Sequence, residues 1–94
     1  RGVIWSFQRR RPTIQAMARF YFNFRNGAEF LEDKDGLELA DVSAARANGI
    51  LTLRDILAGD VLGGVLNRAS AIEVEDADRR PVCTVSLIDA LTER

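Results

Sequence analysis

Between Arg19 and Arg25 the chain alternates strictly, with Phe20, Phe22 and Phe24 on one parity and Arg19, Tyr21, Asn23 and Arg25 on the other. A period of two is the signature of a half-buried strand, so the phenylalanines are expected to face a core and the polar set an open sheet face. Asn26-Gly27 follows at once. Both residues tolerate positive φ, which makes the pair a strong hairpin signal and predicts a second strand over Ala28 to Glu32. Few folds accommodate an aromatic hairpin of this kind without a sheet and something to cover its apolar side.

The cover is predicted by what comes next. Asp33-Lys34-Asp35-Gly36 reads as a turn, and Leu37-Glu38-Leu39 as a short continuation of the sheet. Asp41 is a suitable N-cap for a helix from Val42 to about Leu62, whose Val42, Ala45, Gly49, Leu53, Ile56 and Leu57 recur at spacings of three and four. Gly49 in that stripe costs about 1 kcal/mol of helix propensity relative to alanine, which predicts close packing on the sheet. Gly63-Gly64 should end the helix. Ile72 to Glu75 alternates again, Asp76 to Arg80 turns, and Val82 to Leu87 makes a last strand with Pro81 at its start. The tail from Ile88 to Arg94 is too short for a firm assignment and has room for one helical turn. The expected class is α+β: one ββαββ domain, an antiparallel sheet with one helix packed on one face.

The 94 residues leave room for one such domain. Four arginines and no acid lie in residues 1–16, so with a net charge of −1 overall, Met17 to Arg94 carries −5. Met17 therefore separates a basic extension, residues 1–16, from an acidic domain, residues 17–94. The extension carries Val3, Ile4, Trp5 and Phe7 ahead of Arg9, Arg10 and Arg11. It has two readings. It is translated upstream sequence or an expression remnant, or it is an ordered arm whose aromatics fill a groove.

From Met17 the motifs resemble a family of small bacterial proteins known only as a domain of unknown function. The resemblance rests on Met17 to Gly27, Asp33 to Leu39, Asp41 to Gly49 and Ile72 to Leu91. Similar proteins often carry histidine where Asn23 stands and aspartate where Asn26 stands. The resemblance implies a fold and no chemistry.

Candidate chemistry is sparse. Histidine is absent and Cys83 is the single cysteine, so no intramolecular disulfide forms and the commonest transition-metal ligand is missing. Cys83, amid apolar alternation, reads as a small buried hydrophobe. Glu73, Glu75, Asp76 and Asp78, or Asp33, Asp35 and Glu38, lack the spacing of a calcium loop. Gly59, Gly63 and Gly64 follow a helix instead of opening one, which is the wrong order for a phosphate loop. No catalytic, cofactor or metal site is assigned.

Partner contacts are expected instead, at Trp5, Phe7, Arg9, Arg10 and Arg11 of the arm and at Arg19, Tyr21 and Arg25 of the open face. Those arginines would pair with Glu29 or Glu73 of a neighbouring molecule. The favoured function is that of a non-catalytic, cytoplasmic accessory or assembly protein binding a protein partner or a second copy. The alternative is a nucleic-acid-binding regulator using the same arginines and Tyr21 as a stacking platform. No apolar run approaches the roughly 18 residues of a membrane span.

Overall fold

The computed structural model describes residues 17–64 and 68–93. Strand β1 (Ala18–Asn26) turns into β2 (Glu29–Leu31), and β3 (Leu37–Leu39) returns to the same edge of β1 nearer its start. Helix α1 (Val42–Leu62) then crosses to β4 (Ser70–Glu75), β5 (Pro81–Ser86) and a second helix, α2 (Leu87–Thr92). The path through the sheet is β2-β1-β4-β5, every pairing antiparallel, with β3 sharing the β1 edge with β2. The α+β expectation holds, with two helices where one had been read.

The alternation of β1 fixes the two faces. Phe22 lies opposite Val74, Phe24 opposite Ile72, and Ile72 opposite Val85, so one face is apolar across three strands. Helix α1 covers it with Ala45, Gly49, Ile50, Leu53 and Leu57, all buried. A β-carbon on Gly49 would lie 3.1 Å from Cγ2 of Val85, so the helix approaches the sheet as closely as the glycine suggested. Val42 departs from the expected stripe: it is 46 % exposed, because burial begins only at Ala45, while Ile50 takes a place in the core beside α2.

The ends of the elements follow local chemistry. The Asp41 carboxylate accepts from the N–H of Ala44 at 2.8 Å, and Gly63 donates back to Gly59 at 3.0 Å. Pro81 opens β5, where a one-residue slip between Val74 and Glu75 accommodates it. The β1–β2 turn sits one residue later than read. Asn26 closes β1, and the positive φ falls on Gly27, first of the two connecting residues. The tail is helical from Leu87, its start set by a capping box between Ser86 and Asp89, the Ser86 N–H donating to Asp89 Oδ2 at 2.9 Å.

Candidate interaction surfaces

The open face of the sheet is built from the polar parity of β1 and its neighbours. Between the β2 and β3 registers, Phe22 has no strand partner on that edge. Asp33 fills the gap: its carboxylate accepts from the N–H groups of Phe22 at 3.0 Å, Gly36 at 3.1 Å and Asp35 at 3.2 Å. Its own N–H donates to Oδ1 of Asn23 at 2.9 Å, and Asn23 is only 1 % exposed. Gly36 is required here. Its φ is +70°, and a β-carbon would stand 2.8 Å from the Phe20 carbonyl oxygen. Burial alone would raise the Asp33 carboxyl, but the three N–H donors and the charge of Arg79 more than offset it and hold it below its ordinary value.

Arg79 closes this face. It adopts φ +68° in the β4–β5 turn, where Asp76 Oδ1 accepts from the N–H groups of Asp78 and Arg80, both at 2.9 Å. From there its guanidinium lies 3.5 Å from the Tyr21 ring centroid and donates to Glu32, Glu75 and the Asp33 carbonyl. Arg25 pairs with Glu73 at 2.6 Å and lies over Phe30, and Arg19 pairs with Glu38 at 3.1 Å while donating to the Asp35 carbonyl. The expected contact residues Arg19, Tyr21 and Arg25 thus share one face, but each is engaged within its own chain. Glu73, expected as a partner for these arginines, pairs with Arg25 of the same chain. Trp5, Phe7, Arg9, Arg10 and Arg11 lie outside the described residues.

A second surface was not read from the sequence. Arg46 of α1 grips the end of α2, donating to both Glu93 carboxylate oxygens at 2.8 and 3.0 Å and standing 3.6 Å from Asp89. The Ser86 N–H and then its hydroxyl, joined by Arg46, hold Asp89 below its ordinary pKa against some desolvation. Arg54 donates to the carbonyls of Ala90, at 2.7 Å, and Glu93, capping the carbonyl end of α2. These clamps fix a furrow between the helices. One hollow of ≈ 510 Å³ is lined by Arg54, Leu57, Ala58, Val61, Leu62 and Leu91, and a neighbour of ≈ 360 Å³ continues past Ala47 and Leu51. Leu51, Val61, Leu62, Ile88 and Leu91 are 59, 61, 89, 63 and 66 % exposed. The available signal was the composition of α1, whose apolar residues occupy nearly its whole circumference although only one side meets the sheet.

Cys83 is half-buried on the helix side of the sheet. Burial pushes its thiol up, with Arg46 pulling weakly the other way, which disfavours the thiolate. Among the described residues no group of three or more Cys, Asp or Glu side chains is placed to hold a metal ion. No helix among them is long and apolar enough to cross a membrane.

No curated protein and no solved structure matches the chain. A family model described as a domain of unknown function, DUF6894, matches residues 19–88, from the polar face of β1 through α1 to the start of α2. With most of its length matched, the chain belongs to the DUF6894 family of domains of unknown function.

Proposed function

We propose that this chain is a non-catalytic accessory or assembly module that acts by protein–protein contact in the cytoplasm, and that the α1–α2 furrow is its principal binding surface. One observation carries the reading: four large apolar side chains, Leu51, Val61, Leu62 and Leu91, each more than half exposed, line the adjoining hollows of two helices clamped together by Arg46 and Arg54. Contiguous apolar surface held rigidly is what protein interfaces use at their centre. The lone cysteine accords with a reducing compartment. The nucleic-acid alternative draws less support, because Arg19, Arg25 and Arg79 face carboxylates of their own chain.

The test compares the wild-type chain with Leu91→Glu and Val61→Glu, expressed in its own cells, by quantifying the complexes that each enters. Loss of association in both variants, with unchanged circular dichroism, is the expected result. Unchanged association, together with binding to single-stranded RNA or DNA that weakens steeply with salt, would favour the alternative.

A further inference from the structure

We infer that the occupant of this surface is a second copy of the chain, packed α1 against α1 in parallel about a two-fold axis running along the helix. The inference rests on the reading above and names its partner. Ala47, Leu51, Ala58 and Leu62 follow one another at four, seven and four residues, which places them along one line of the helix opposite its buried side. Small and large residues at this spacing form a seam, with the alanines permitting close approach of a second helix and the leucines filling the space beside them.

Charge sets the orientation. Arg54 and Asp55, consecutive and so about 100° apart around the axis, flank the seam on opposite sides. Arg54 differs from Arg19, Arg25, Arg46 and Arg79 in having no carboxylate partner among the described residues: Nε and Nη2 reach carbonyls of α2, and Nη1 makes no such bond. Asp55 is exposed and makes no hydrogen bond or ion pair among them. In a parallel two-fold pair, opposite flanks of the two helices face each other, so Arg54 of each copy meets Asp55 of the other. An antiparallel pair crossing at this level would set Arg54 against Arg54 and Asp55 against Asp55. At that crossing the two arrangements differ in the sign of two contacts, and the parallel one is attractive.

The same register fills the hollow. Asp55 to Leu62 spans seven residues, as does Arg54 to Val61, so when Asp55 of the second copy reaches Arg54, its Leu62 arrives beside Val61 and Leu91. Leu62 is the most exposed large apolar residue among the described residues, at 89 %, and this contact would remove it from water. Leu51 meets its own counterpart across the axis.

Sedimentation equilibrium of the full chain over a dilution series tests the assembly. The wild type is expected as a reversible dimer, with Leu62→Glu and Asp55→Arg each weakening it by about tenfold or more while leaving the circular dichroism unchanged. Orientation is read separately: Leu51→Cys and Ala58→Cys, each alone in a Cys83→Ser background, should both form an intermolecular disulfide under mild oxidation, since the parallel pair brings each seam position to its own counterpart whereas an antiparallel pair can do so at only one of them. A chain that is monomeric throughout, a dimer indifferent to Leu62→Glu, or a dimer in which Leu51→Cys or Ala58→Cys fails to cross-link would overturn the inference. If the chain is monomeric yet Leu91→Glu and Val61→Glu still lose a cellular complex, the second copy is excluded and the wider reading of the furrow stands.

Discussion

The two surfaces of this domain handle exposure in opposite ways. On the open sheet face, Arg19, Arg25 and Arg79 each find a carboxylate in their own chain, and Asp33 bridges a gap in the ladder, its N–H donating to Asn23 and its carboxylate accepting from the Phe22 N–H. On the outer side of α1 and α2, Leu51, Val61, Leu62, Ile88 and Leu91 stand in water with nothing in the described chain over them. A charged face is therefore the satisfied one here, and an ordinary-looking helix is the unsatisfied one. Charge marks a site only when its partners are missing.

If that contrast is right, substitution should separate stability from association. Asp33→Ala is expected to have the largest effect, about 2–3 kcal/mol in urea denaturation, because it strips the acceptor from three backbone N–H groups in a partly buried connection. Leu51→Ser on the other surface, measured at high dilution, should change stability by no more than about 0.5 kcal/mol. Comparable losses at the two positions would remove the distinction.

Acid should act on the same side of the comparison. Asp33 and Asp89 are both held below their ordinary values in the fold, so the unfolded chain binds their protons more readily. Their contribution is complete above the unfolded carboxyl value of about 3.9 and is lost as pH falls through the lower folded values. Melting temperature should accordingly fall steeply on acidification below about pH 4. Asp33→Asn should flatten that fall; an unchanged acid limb would assign the sensitivity to other groups.

Much of this architecture could be read in advance because it depends on neighbours in the chain. The Phe20-Phe22-Phe24 alternation, the Asp41 cap and the Gly63-Gly64 stop are short-range decisions, and each appears where it was expected. Asn23 was placed on the correct parity, but its burial depends on the connection carrying Asp33, ten residues on, which no periodicity encodes. The furrow was missed for a related reason. Leu51 and Leu62 lie off the stripe that faces the sheet, and α2, clamped by Arg46 and Arg54 from far away in sequence, exists as a wall only in three dimensions. The open-face arginines were seen as available because their acids lie on other strands.

A modest effect probes how firmly the sheet face is closed. Arg79 holds a left-handed backbone that costs a non-glycine residue roughly 1–2 kcal/mol, and its guanidinium offsets this by stacking on Tyr21 and bridging Glu32 to Glu75. Arg79→Gly removes both the cost and the contacts, so its net change should be within about 1 kcal/mol. The informative quantity is the coupling with Tyr21→Leu in a double-mutant cycle, expected at about 0.5–1 kcal/mol because the pair is only partly buried. A coupling of zero would mean that the stack forms without stabilising the fold. Tyr21 and Arg79 would then be free to exchange each other for a partner, and the sheet face would rejoin the helices as a candidate surface.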